Sequence, residues 1–166
     1  RNVLFLFRSS ILDGTMAKQS FGGAHTATKL EKLSAYLHAY TTALKKQNFH
    51  LIYFDAFAGT GEIQIPDEGA TLPIDGEDRE QFVEGSARRA LQLETPFHEY
   101  VFVEKSRAKA RDLEKLKTDF PDHANKIRIE NRDANDALKE FCGSTNWRRC
   151  RAVVFLDPFG NQIPWG

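Results

Sequence analysis

The sequence contains no apolar run near the roughly 20 residues that a membrane-spanning helix requires. Cysteine is scarce: there are two, Cys142 and Cys150, and no CxxC pair. The five histidines, His25, His38, His50, His98 and His123, form no HxxxH cluster. No metal site is therefore expected, and the two thiols read as free cysteines in the reducing cytoplasm. Net charge is also lacking, with 23 Lys and Arg against 23 Asp and Glu. A neutral chain is not drawn to nucleic acid by its overall field, so any such contact needs a local basic patch.

Methionine occurs once, as Met16. The stretch before it carries a short apolar patch, Val3-Leu4-Phe5-Leu6-Phe7, with no small-residue cleavage site behind it. Residues 1–28 are expected to be a leader, flexible or non-native, of which residues 1–15 contribute nothing to fold or function. The other end stops soon after Asp157-Pro158-Phe159-Gly160, a sequence that reads as the start of a functional loop. A fragment of one longer domain is the expectation.

What is present is globular. Hydrophobic residues make up 41% and charged residues 28% of 166, which suits one domain. Lys29–Lys46 predicts a helix, with Leu30, Leu33, Leu37, Tyr40 and Leu44 on one face and Thr28 as N-cap. Leu51–Phe57 predicts a strand buried on both faces. Residues 62–84 hold Pro66, Pro73, Asp67, Glu68, Asp75, Glu77, Asp78, Glu80 and Glu84 against one base, Arg79, and read as an acidic surface insertion. A helix over Ala87–Glu94 follows, with Ser86 as its cap. Strands over Tyr100–Glu104, Ile127–Ile129 and Ala152–Leu156 then alternate with helices over Ser106–Asp119 and Ala134–Phe141.

That order predicts an α/β chain, a doubly wound, Rossmann-like, mostly parallel sheet with helices on both faces. Only four of its strands would be present.

Ligands of such sheets sit at the carboxyl ends of the strands. Those ends carry Asp55-x-Phe57-x-Gly59-x-Gly61, then Glu104, then Asp133, then Asp157. Each alone has a structural reading as a tight turn, a strand cap or a helix-terminal acid. Four at successive strand ends point to a nucleoside-type ligand. No GxxxxGK[ST] P-loop occurs. The glycine turn does not run directly into a helix, so a pyrophosphate would lack its usual anchor. A ligand without phosphates, such as S-adenosylmethionine, fits better.

The turn at Asp55–Gly61 resembles motif I of class I S-adenosylmethionine-dependent methyltransferases. Tyr36-Leu37-His38-Ala39-Tyr40, Gly85-Ser86, Phe102-Val103-Glu104 and Phe155-Leu156-Asp157-Pro158-Phe159-Gly160 resemble the three-Cys-motif partner protein (TcmP) family. The likeness covers about residues 29–166. The layout is also similar to that of ribosomal-RNA adenine-N6 methyltransferases. The DPFG tetrapeptide is similar to motif IV of tRNA guanine-N2 methyltransferases.

This resemblance implies that Asp55, Phe57, Gly59 and Gly61 shape the pocket for the cofactor's methionine part. It implies that Glu104 binds the ribose hydroxyls and that Asp133 with Ala134 meets the adenine amine. Asp157 and the carbonyl of Pro158 would receive the substrate's exocyclic amine. Phe159 either stacks on a flipped base or packs in the core. The implied activity is methylation of an exocyclic amino group of a nucleobase in RNA or DNA by the full-length protein, with the 166-residue chain inactive alone. The competing reading is a non-catalytic partner or scaffold that keeps the fold, since the family name implies a companion three-Cys-motif protein. Arg148, Arg149 and Arg151 are expected at the opposite end of the sheet, as a solvated basic turn.

Overall fold

The computed structural model describes residues 3–7, 24–59, 62–65 and 81–157. In chain order these form β1 (Val3–Phe7), α1 (Ala24–Leu44), β2 (His50–Asp55), β3 (Glu62–Ile65), β4 (Gln81–Glu84), α2 (Ser86–Leu91) and β5 (Glu99–Val103). Then come α3 (Arg107–Leu113), α4 (Lys115–Asp119), a 3-10 turn over Pro121–Lys126, β6 (Ile127–Glu130), α5 (Ala134–Ser144) and β7 (Cys150–Leu156).

Five of the strands make one sheet in the order β1-β7-β2-β5-β6. All of its pairings are parallel. The fold is therefore the expected α/β, Rossmann-like arrangement. Its central strands are continuous apolar runs because both of their faces are covered. Alternation along each strand divides the core into two layers. Leu51, Tyr53, Tyr100, Phe102, Ile127, Val153 and Phe155 pack with Leu30, Leu33 and Leu37 of α1, with α2, and with Leu113 and Leu116. Ile52, Phe54, Val101, Val103, Ala152, Val154 and Leu156 face the other way, against Ala137 and Phe141 of α5. The Phe54 and Phe141 rings meet with centroids 4.5 Å apart.

The leader does not stay free of the fold. Val3–Phe7 pairs along β7 from Val3↔Ala152 to Phe7↔Leu156, making five strands where four were expected. The physical reason is the edge of β7. Left bare, it would present a row of unsatisfied N–H and C=O groups beside a strand whose side chains are buried. An apolar five-residue run can satisfy that edge. The first helix also begins earlier than expected, at Ala24, so Thr28 lies inside it rather than capping it.

The acidic insertion holds an unexpected antiparallel pair, β3 with β4, from Glu62↔Glu84 to Ile65↔Gln81. Residues 66–80 lie outside the described residues. The helix expected over Ser106–Asp119 is divided at Glu114. There the backbone tightens, with the Glu114 N–H donating to Arg111 O and the Lys117 N–H to Glu114 O. Three-residue turns bring i and i+3 to one side, so Leu113 and Leu116 both reach the core.

Among the described residues, no helix is long and apolar enough to cross a membrane. Cys142 and Cys150 are free and half-buried beside the α5 layer. Burial raises both thiol pKa values.

Candidate functional site

From β2 the chain moves outward to β5 and β6, then returns across the sheet to β7 on the other side of β2. The order of strands therefore reverses between β2 and β7, and the crevice beyond their carboxyl ends is where such sheets take ligands. Asp55 ends β2 and Asp157 follows β7.

The turn after β2 is stitched to both neighbouring strands. The Ala56 N–H donates to Phe155 O of β7 at 3.1 Å, and the Ala58 N–H donates to Val103 O of β5 at 3.1 Å. The chain then passes through Gly59, whose φ is +64°. Only glycine adopts that conformation without penalty. Among the described residues, a Cβ at Gly59 would meet nothing within 4 Å, so the requirement seen there is conformational.

Asp55 is fully buried. Its Oδ1 accepts the Phe57 N–H at 3.1 Å. Its Oδ2 accepts the Ser86 hydroxyl at 2.5 Å and the Tyr53 phenol at 3.4 Å. Burial raises the Asp55 pKa to about 6, the negative field of Asp157 adds to the rise, and the Ser86, Phe57 and Tyr53 hydrogen bonds oppose it. Burial also pushes the Tyr53 phenol well above its ordinary range. Asp55 is thus an internal brace of the turn, which suits a role in shaping a pocket.

Ser86 does not cap α2 as expected. Gly85 occupies the N-cap position, no side chain caps the helix, and the Ser86 hydroxyl turns to Asp55 instead. In the sequence Gly85-Ser86 reads as a helix start and as one of the stretches that resemble the TcmP family. Nothing in its spacing reveals a bond across 31 residues.

Glu104 follows β5. Its N–H donates to Glu130 O at 3.0 Å, continuing the ladder with β6. Its Oε1 accepts the Ser106 N–H at 2.6 Å, at the start of α3. Asn131, not singled out from the sequence, clamps this loop by donating to Glu104 O at 2.8 Å and Lys105 O at 3.0 Å. Asp133 is the N-cap of α5, accepting the Asn135 N–H at 2.9 Å, and Lys105 Nζ lies 3.3 Å from its other oxygen. Those two bonds hold its pKa below the ordinary carboxylate value. Ala134 begins α5 and packs on the same core layer as Phe57.

The described site residues therefore stand at carboxyl ends of strands, spread across the sheet in the order Asp157, Asp55, Glu104, Asp133. Gly61, Pro158 and Phe159 lie outside the described residues. Among the described residues, no group of three or more His, Cys, Asp or Glu side chains is arranged to hold a metal ion.

The opposite end of the sheet carries two shallow clefts that share His50, one reaching Asn48 and Arg149, the other His98, Glu99, Lys126 and Arg128. Arg148 and Arg149 are exposed there. Arg151 is not simply solvated: it donates to Trp147 O and Cys150 O and stands 3.7 Å over the Phe49 ring.

No protein-family model matches the chain. No curated protein sequence matches it either. Among solved structures, the chain is similar to the crystal structure of protein LPL1258 from Legionella pneumophila str. Philadelphia 1, of family model DUF519. The TM-score is 0.56 at 15% identity, over 82% of this chain and 57% of that one. The likeness is one of fold. The chain spans little more than half the length of that structure.

Proposed function

We propose that this chain is the cofactor-binding part of a class I S-adenosylmethionine-dependent methyltransferase, related to the three-Cys-motif partner proteins. Its substrate is an exocyclic amino group of a nucleobase in RNA or DNA, and it works in the cytoplasm. The observation that carries the reading is the pairing of a buried, braced Asp55 turn with Asp157 on the two sides of the β2/β7 crevice.

Three features suit the cofactor. Among the described residues, nothing stands within 4 Å of where a Cβ on Gly59 would lie. Glu104 uses Oε1 for Ser106, so Oε2 remains for a ribose hydroxyl. The turn runs on to β3 and not directly into a helix, unlike a dinucleotide-binding turn, whose glycines open a helix N-terminus under the pyrophosphate. Asp133 fits less simply. Both of its oxygens are engaged, and an adenine amine would take the place of the exposed Lys105 ammonium.

The bound cofactor supplies a methyl group on a positively charged sulfonium. The chain's own task is orientation. Asp157, with the carbonyl of Pro158, accepts hydrogen bonds from the substrate amine and aims its lone pair, and Phe159 stacks on the base. Positioning of this kind is worth roughly 7–11 kcal/mol of a barrier. A negative group beside the amine also stabilises the charge that develops on it.

A second reading is favoured by one observation: Glu104 and Asp133 also hold the starts of α3 and α5. A scaffold that docks on a companion three-Cys-motif protein would keep these carboxylates for the fold alone. The deciding assay uses labelled S-adenosylmethionine with total RNA and total DNA. Transfer by the full-length protein and none by its Asp157→Ala variant supports the enzyme. Calorimetric binding of S-adenosylhomocysteine without transfer to either nucleic acid supports the scaffold.

A further inference from the structure

We infer that Ser86 is a positioning residue for the proposed cofactor site: its hydroxyl, donated across the fold to the buried Asp55 carboxylate, holds that group ionised and so keeps the β2 turn in its ligand-binding shape. The inference rests on the cofactor reading and adds to it a residue outside the strand-end set.

Ser86 is the first residue of α2 and is only 8% exposed. With Gly85 at the N-cap position, the Ser86 hydroxyl is not needed to cap the helix and is left for a partner outside it. Here no side chain caps the helix, and the hydroxyl spends its proton on Asp55 Oδ2 at 2.5 Å. A hydroxyl donated to a carboxylate favours the charged form of the acid.

Four groups act on the Asp55 carboxyl. Ser86 reaches it from α2, Tyr53 from its own strand and the Phe57 N–H from the turn, while Asp157 opposes its charge from the end of β7. Glu104, on the far side of β5, is tied to Ser106. The Phe57 bond links charge to shape. An ionised Oδ1 accepts that N–H well, and the same turn leads through Ala56 and Ala58 to Gly59. Protonation weakens the bond that starts the turn. Ser86 favours the charged form, and Asp157 disfavours it. Any ligand that draws charge away from Asp157 also favours an ionised Asp55.

The test has two arms on the 166-residue chain. In the ligand-free protein, carbon-13 NMR follows the Asp55 carboxyl from pH 4 to 9. Ser86→Ala should raise its midpoint by about one unit, and Ser86→Thr should restore it. In the second arm, calorimetry measures S-adenosylhomocysteine affinity at several pH values. If binding needs the ionised form, Ser86→Ala should bind about fivefold more weakly near pH 6, about twofold near pH 7, and equally above pH 8.5. A loss that is the same at every pH is ordinary structural damage and overturns the inference. So does an unmoved Asp55 midpoint in Ser86→Ala. If Ser86→Ala does not fold, Tyr53→Phe replaces it, with a smaller shift in the same direction. Wild-type protein that binds no S-adenosylhomocysteine at any pH, with the NMR shift present, overturns the cofactor reading and not the Ser86–Asp55 coupling.

Discussion

His98 and Leu51 are joined twice. The His98 N–H donates to Leu51 O, and the Leu51 N–H donates to His98 Nδ1, both at 2.9 Å. The imidazole thus extends the β2–β5 ladder below its first pair, Ile52↔Glu99. It can do so only while Nδ1 is an acceptor, which places the proton of the neutral ring on Nε2. Burial lowers the His98 pKa, and His50 and Lys126 lower it further. A base with a lowered folded pKa contributes stability above the unfolded value of 6.5, and that stability is lost as pH falls through the folded value. The wild type should therefore lose melting temperature on acidification below pH 6.5 relative to His98→Asn. The asparagine carbonyl can accept the Leu51 N–H and does not titrate. Circular dichroism melts from pH 5 to 8 check this. Parallel curves for the two proteins would remove His98 from the acid response.

Asp55 carries the opposite sign. Its folded pKa, about 6, is raised from 3.8. Its favourable contribution is complete below 3.8 and disappears as pH rises through 6. Keeping it charged at pH 8 costs about 3 kcal/mol, at about 1.4 kcal/mol per unit. Asp55→Asn removes that charge and keeps an acceptor for the Phe57 N–H. Urea denaturation at pH 8 should find it more stable by about 1–2 kcal/mol, and cofactor affinity should fall. Gains in stability at the expense of function are common at buried charged sites. A less stable Asn variant at pH 8 would mean that the Ser86 and Tyr53 bonds outweigh the cost of burying the charge.

The sheet was readable from the sequence because its signals are local. Leu51–Phe57, Tyr100–Glu104 and Ala152–Leu156 are apolar runs too dense for a half-exposed strand, and each proved to be a central strand buried on both faces. Strand-end acids were readable for the same reason: Asp55, Glu104, Asp133 and Asp157 each follow such a run or precede a helix. What escaped reading depends on partners far along the chain. Val3–Phe7 has the composition of a strand but gains one only beside β7, about 150 residues away. The β3–β4 pair lies in a segment whose prolines and acids mask it. Ser86 reads as a helix cap by pattern, but Gly85 takes that position, and the Ser86 bond to Asp55, 31 residues away, leaves no local signal.

Removing residues 1–7 tests the β1 assignment. The expectation from composition was no effect. The structure leads to the reverse, because β7 would lose a parallel partner along Ala152–Leu156. A change of 1 kcal/mol moves the melting temperature of a domain this size by roughly 2–4 °C, and the loss should exceed that. The bared edge should also promote self-association, visible as earlier elution in size-exclusion chromatography. Phe5→Pro is the subtler version. Proline removes a single backbone donor from β1 and should destabilise less than the deletion. Unchanged melting and elution in the truncated protein would detach β1 from the fold.

Gly59 separates backbone strain from ligand space. At φ +64° an alanine pays the left-handed penalty of about 1–2 kcal/mol, and asparagine pays less because it tolerates that region. Steric clash adds nothing from the described residues, none of which comes within 4 Å of a Cβ there. Gly59→Ala should therefore lower stability by about 1 kcal/mol and Gly59→Asn by about half of that, as read from chemical denaturation. Affinity for S-adenosylhomocysteine should follow a different order. If the cofactor's methionine part lies over the turn, the larger asparagine obstructs it more than alanine does. The variant that folds better should then bind worse. Such a crossing of stability and affinity cannot arise from general damage, which would rank the two variants the same way in both measurements. Equal affinities in wild type and both variants would place the ligand away from this turn, and with it the role assigned to Asp55.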